Sequence, residues 1–199
     1  MKNTNTTTEE KKSLPSNGMN VVHAQEKSAF EVLKGDFGYT NALQAPRVQK
    51  VVISSGTGKL SKDKNKVTLV QERLARITGQ KTAPRGAKKS VAAFKVRKGD
   101  IIGFQTTLRG TRMYDFLEKL IHVALPRTRD FRGIKPSAID DMGNMTVGIK
   151  EHTIFPETGD EELKDVFGLS ITLGTTAKTK EEAESLLREL GLPLRGNTK

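Results

Sequence analysis

The stretch IIGFQTTLRGTRMYDFLEKLIHVA, residues 101–124, decides the fold, because the period of its apolar residues changes once within it. From Ile102 through Phe104 and Thr106 to Leu108 one face recurs every second residue. Ile101, Gln105, Thr107 and Arg109 point the other way, which predicts a one-sided strand over Ile101 to Arg109. Gly110 breaks the strand. Met113, Phe116, Leu117, Leu120, Ile121 and Ala124 then follow at helical spacing, with Asp115 and Glu118 on the outer side and Pro126 as a stop. A strand with one apolar face feeding a helix with one apolar stripe is the unit of a two-layer α+β sandwich.

The flanking sequence repeats that unit. Arg47 to Ser54 reads as a strand, with Val51 and Ile53 on one face and Lys50, Val52 and Ser54 on the other. Gly56 and Gly58 turn the chain. Ser61 is a candidate N-cap with Asp63 in the first turn, before Val67, Val70, Leu74 and Ile77 at helical spacing and a stop at Gly79. Upstream, Ala29, Phe30, Leu33 and Phe37 suggest a short helix ending near Gly35 or Gly38. Downstream, Met145, Val147 and Ile149, and then Leu169, Ile171 and Leu173, alternate with polar or small residues as strands. Thr179 with Glu182 is the signature of a capping box, followed by Ala183, Leu186, Leu187 and Leu190 and closed by Gly191 and Pro193. The expected architecture is α+β: helices packed on one face of a mostly antiparallel sheet, the other face exposed. Residues 1–20 read as a disordered polar leader, 21–195 as one domain and 196–199 as a tail.

Composition narrows the function. The 199 residues hold 34 Lys+Arg against 23 Asp+Glu, a net charge of +11, which attracts polyanions. Cys is absent, so disulfides and thiolate chemistry are excluded. No apolar run approaches the ~20 residues that cross a bilayer, and no signal-peptide core opens the chain; a cytosolic or organelle-interior protein is expected. Gly56-x-Gly58-Lys59 lacks the glycine framing of a phosphate loop. His23, His122 and His152 stand in no metal-ligand spacing, and no nucleophile elbow occurs. Neither an enzyme nor a cofactor is expected.

The positive charge is concentrated in two irregular stretches. Residues 80–100 carry Lys81, Arg85, Lys88, Lys89, Lys95, Arg97 and Lys98, with no acid before Asp100. Pro84 and Gly86 read as a projecting turn, Val91 to Val96 as a short strand, and Lys98-Gly99-Asp100 as a hairpin turn. The second stretch, Arg127 to Asn144, carries Arg127, Arg129, Arg132 and Lys135 on a loop long enough to suggest a purpose. Phe131 within it would either stack on a base or anchor the loop to the core. Basic loops around a polar strand face that includes Lys50, Lys150 and Thr172 suit RNA, and no recognition helix for the major groove of DNA is evident.

Several segments carry a family resemblance: Ala87-Lys-Lys-Ser-Val-Ala-Ala-Phe-Lys-Val-Arg-Lys-Gly99, Thr107-Leu-Arg-Gly-Thr-Arg-Met-Tyr-Asp-Phe-Leu117, Ala124-Leu-Pro-Arg-Thr-Arg-Asp-Phe-Arg-Gly133, Gly148-Ile-Lys-Glu-His-Thr-Ile-Phe-Pro-Glu157 and Thr175-Thr-Ala-Lys-Thr-Lys-Glu-Glu-Ala183. From about Ala45 to Arg195 the chain resembles the bacterial-type ribosomal protein L5 (uL5) family. That resemblance implies a structural constituent of the large ribosomal subunit, present in cytoplasmic ribosomes, that binds 5S rRNA among the rRNA and proteins of the central protuberance. It also implies an intersubunit bridge to small-subunit head protein S13 and a contact with peptidyl-site (P-site) tRNA. The positions that match are Lys50, Ser54, Ser55, Lys59 and Lys95 for 5S rRNA, Arg85, Lys88 and Lys89 for tRNA, and Arg127, Arg129, Arg132 and Lys135 for the bridge. A free-standing module that binds RNA or protein outside the ribosome is the alternative.

The chain departs from the family at four places, one of them the usual tyrosine-bearing N-terminal helix, which is poorly matched before Ala45. Ser54, Ser55, Gly56, Thr57, Gly58 and Lys59 stand where the family usually has Asn-Met-Gly-Val-Gly-Glu. Arg85-Gly-Ala-Lys-Lys-Ser90 shifts the usual charges. Asp141-Met-Gly-Asn-Met145 lacks an arginine and an aromatic.

Overall fold

The computed structural model describes residues 20–58, 63–129, 131–158 and 166–195. The proposed leader up to residue 19, the tail, Lys59, the cap at Ser61 and most of the acidic stretch after Glu157 lie outside them, whereas Asn20, the last residue assigned to the leader, caps the first helix. The elements run α1 (Val21–Phe37), β1 (Val48–Gly56), α2 (Lys64–Thr78), β2 (Ala83–Gly86), β3 (Ile101–Leu108), α3 (Thr111–Lys119), β4 (Met145–Ile149), β5 (Leu169–Thr175) and α4 (Lys180–Glu189). The five strands form one antiparallel sheet in the order β2-β3-β1-β5-β4. This is the expected α+β arrangement.

The alternation in the sequence survives as burial. Val51, Ile53, Phe104, Leu108, Met145, Ile171 and Leu173 face inward and are buried, together with Val70, Leu74 and Ile77 of α2, Met113, Phe116 and Leu117 of α3, and Ala183, Leu186 and Leu187 of α4. Truncating one of these large aliphatic side chains costs about 2–5 kcal/mol. A buried polar rivet sits in the same core. The His152 ring stacks on Phe167 at 4.1 Å, its Nδ1 accepts from the Phe167 N–H at 3.3 Å, and its Nε2 faces the Arg73 guanidinium at 3.3 Å.

The structure differs from the sequence reading in five places. First, α1 begins eight residues before Ala29, the first position of its apparent stripe. Polar anchors hold that extra length: Glu26 accepts from the Val48 N–H at 2.6 Å and from the Tyr114 hydroxyl, while His23 stacks on Tyr114. Second, α2 starts at Lys64, so Asp63 takes the cap position instead of the first turn. Third, the chain after α3 passes into a wide π turn over Leu120–Ala124, closed by Leu125 N–H to Leu120 O at 2.9 Å, with Leu120, Ile121, Ala124 and Leu125 all buried.

The fourth difference concerns 80–100. Pro84 and Gly86 lie in edge strand β2, paired with β3, and do not form a projecting turn. Proline fits there because an edge strand has one side with no ladder bond to make. Val91 to Val96 is no strand; it is a tight turn around Ala92–Phe94 with a single bridge, whereas the turn at Lys98-Gly99 is present. Fifth, only half of the capping box at α4 forms. Thr179 Oγ1 accepts from the Glu182 N–H at 3.3 Å, but Glu182 Oε2 accepts from the Lys178 N–H at 2.8 Å, one residue earlier than a reciprocal box requires.

Candidate RNA-binding surfaces

The outward face of the sheet is polar and low. In register across it lie Ala83, Gln105, Ser54, Ser170 and Gly148, and beside them Thr107, Val52, Thr172 and Thr146. The hydroxyls of Thr146 and Thr172 meet at 3.1 Å. Lys50 stands opposite Gly174. A Cβ on that glycine would lie 3.0 Å from Lys50 Cγ and 3.1 Å from Cε, so Gly174 makes the room in which the lysine stem lies across β5. Gly174 had no functional reading in the sequence; the signal was a glycine directly across the sheet from a cation, visible only once the register is known.

The expected site residues do not form one group. Ser54 is half-buried on the outward face, as is Lys50. Ser55 points the other way: it is buried, and its hydroxyl donates to Gly168 O at 2.9 Å. Adjacent strand residues face opposite sides, so the pair cannot share one surface. Arg85 joins the sheet face, since its Nε donates to Gln105 Oε1 at 2.7 Å. Lys95 leaves that group, because it lies beyond the end of the β2–β3 ladder at Gly86 and Ile101.

Lys95 belongs instead to a finger formed by residues 87–100, with exposed Lys88, Lys89, Arg97 and Lys98. Its base is fixed by Ala87 N–H to Asp100 O at 2.8 Å and Gly99 N–H to Ala87 O at 3.0 Å. Higher up, the Lys98 N–H donates to Ser90 Oγ at 2.9 Å and the Arg97 N–H to Asp100 Oδ2 at 2.7 Å. The one acid of the segment is thus bonded to the finger's own backbone.

The second basic stretch is attached along its length. Ile134 and Ile139 are buried in the core, Ile134 bridges Leu194 and Ile139 bridges Met145. Gly133 has φ +88, and a Cβ there would lie 3.1 Å from Pro193 O, so the loop backbone lies directly on the C-terminal segment. Phe131 is half-buried, packs against the core as an anchor, and leaves part of its ring on the lining of the neighbouring cleft. Arg127, Arg129, Arg132 and Lys135 remain exposed. With Lys150 and Arg195, the last three line a cleft of about 650 Å³ against the edge of β4. Among the described residues no cluster suits a metal ion and no helix is long and apolar enough to cross a membrane.

An open sheet face, a basic finger and a basic loop built onto one α+β core define the class: a protein that presents exposed, positively charged surfaces. Comparison supplies the particular family. Residues 41–97 match the model of ribosomal protein L5, and residues 101–194 match the model of that ribosomal family's C-terminus. The large ribosomal subunit protein uL5 of Flavobacterium johnsoniae is 50% identical over 84% of this chain and 92% of its own length. Those of Rubrobacter xylanophilus and Halothermothrix orenii are each 48% identical, over 83% and 81% of this chain and 92% and 90% of theirs. The chain belongs to the ribosomal protein L5 family, whose members are structural, non-enzymatic components of the ribosome.

Proposed function

We propose that this structural protein of the large subunit holds 5S rRNA in the central protuberance through the outward face of its sheet. The observation that carries the reading is the one-sided sheet itself. Five strands leave a low surface of hydroxyls and glycines flanked by Lys50 and Arg85, which suits the wide, shallow minor groove of RNA and its 2′-hydroxyls. Lys50, Ser54 and Arg85 would make the contacts, with Lys59 and Lys95 adding charge. Ser55 acts indirectly, by pinning β1 to the segment before β5 through Gly168.

In the same reading the finger meets peptidyl-site tRNA through Lys88 and Lys89. A contact common to all tRNAs must address backbone phosphates, and long-stemmed cations on a projecting finger do so without base hydrogen bonds. The exposed cations Arg127, Arg129, Arg132 and Lys135 face the small-subunit head protein S13. Protein–RNA crosslinking in intact ribosomes, with the crosslinked residues mapped, tests the whole arrangement. The expected result is 5S rRNA on β1 and β5 and tRNA on the finger. A 5S crosslink confined to the helical side would reverse it. Because the 127–144 loop is packed into the core, the bridge is tested by replacing its four cations with Ala, not by shortening it. Subunit association should weaken while 5S rRNA binding persists; unimpaired association would remove the bridge assignment.

A further inference from the structure

The sheet has one edge that stays open. In the order β2-β3-β1-β5-β4 the last strand, β4, pairs on one side with β5. On its other side the described residues offer only the bridge between Ile139 and Met145, where the Asp140 N–H donates to Asn144 O at 2.8 Å. Backbone groups alternate along a strand, so Thr146 and Gly148 turn theirs to the same side as Asn144. Among the described residues no strand pairs with them there. Gly148 is exposed, and a Cβ on it would meet nothing within 4 Å.

The cleft between the basic loop and β4 runs along that edge, since Val147, Gly148 and Ile149 all line it. Neighbours in a strand face opposite sides, so a cleft that touches all three meets the strand at its edge and not on one face. The half-buried Val147 and Phe131 give it an apolar floor. Arg129, Arg132, Lys135, Lys150 and Arg195 stand exposed around it, against one described acid, Glu151. Among the described residues none of the five cations is held in an ion pair.

An open strand edge is completed by another extended backbone. RNA has no ladder of N–H and C=O groups to offer it. A second copy of this chain would set five like charges against five. We infer that the edge of β4 takes up an extended acidic segment of a protein partner as a sixth strand, with apolar side chains toward Val147 and Phe131 and carboxylates toward the cations. The site shares three cations with the proposed bridge, but it rests on the strand edge and not on that reading.

The test uses the full chain and a short synthetic peptide that alternates Glu and Val, with binding read by fluorescence anisotropy. The comparison probes are the same peptide N-methylated at alternate residues in either phase, a Lys–Val peptide of the same length and an oligouridine. The Glu–Val peptide should bind and the Lys–Val peptide should not. N-methylation in the phase that faces β4 should weaken binding about tenfold, because ladder bonds are lost while the charge is kept. Gly148→Pro, which removes an outward N–H, should weaken it similarly. Arg132→Ala/Lys135→Ala should weaken it and flatten its salt dependence. Circular dichroism checks that each variant folds, and if Gly148→Pro does not, the N-methylated peptides decide. Equal binding of the plain and both N-methylated peptides would reduce the contact to charge attraction and overturn the inference. Tighter binding of oligouridine, with displacement of the peptide, would give the cleft to RNA and overturn it. A Glu–Val peptide that does not bind would overturn it outright. The bridge reading stands or falls separately, on subunit association in the four-cation variant.

Discussion

Residues 87–100 and 127–144 look alike as sequence. Each is basic, irregular, broken by Gly or Pro, and carries one phenylalanine. In the fold they are opposites. The finger holds itself together by its own hydrogen bonds and turns Phe94 outward. The longer loop is held by the core, with Ile134 and Ile139 buried, Gly133 against the C-terminal segment and Phe131 packed inward. A loop's composition therefore says what it can touch, and its apolar anchors say whether it projects. The finger has one buried residue, Ala87 at its base, whereas the other loop is pinned at several points.

The largest expected effect tests that contrast directly. Ile134→Ala should lower unfolding stability by about 2–5 kcal/mol, and Phe94→Ala should stay within about 0.5 kcal/mol of the native chain. Urea unfolding followed by circular dichroism reads both. Equal losses would erase the distinction between a packed loop and a projecting one.

Next in size is a pair of RNA-binding effects. Lys50→Ala should weaken 5S rRNA binding and reduce the slope of log affinity against log salt by about one unit, whereas Lys88→Ala/Lys89→Ala should leave that slope unchanged. Filter binding over a salt series distinguishes them. A slope lowered by the finger variant alone would move 5S rRNA from the sheet to the finger. Gly174→Val should copy part of the Lys50 effect by crowding the lysine stem without removing its charge.

A smaller effect concerns the frame that carries both regions. Burial, with the Glu26 carboxylate beside it, raises the Tyr114 phenol above its ordinary 10.0. The folded state therefore holds that proton more tightly than the unfolded chain does. The stability it contributes is complete below pH 10 and falls as pH climbs through the raised folded value. Tyr114→Phe should be slightly less stable at about pH 8 and should lose less stability on going above about pH 10. A parallel decline in both proteins would show that another group is responsible. The smallest effect expected is at α4, where Thr179→Ala should cost about 1 kcal/mol through the lost cap, with neither loop affected.

By itself the sequence determined the α+β class, the paths of the main strands and helices, and the family, because these rest on local periodicities of about two and 3.6 residues and on near-contiguous segments. It also located both basic stretches. Register and long-range packing were decided only in the tertiary structure. Ser54 and Ser55 are neighbours in the chain, but the pleat sends one to the open face and the other to the core. Arg85 becomes a sheet residue through Gln105, twenty positions away, and Lys95 leaves the sheet because the ladder ends before it. α1 was half-legible because it is held by Glu26 to Val48 and Tyr114, contacts that leave no period in the sequence. Phe131 and Phe94 differ for the same reason: whether an aromatic ring in a basic loop turns inward depends on whether a core surface lies beneath it, and only the folded chain places that surface.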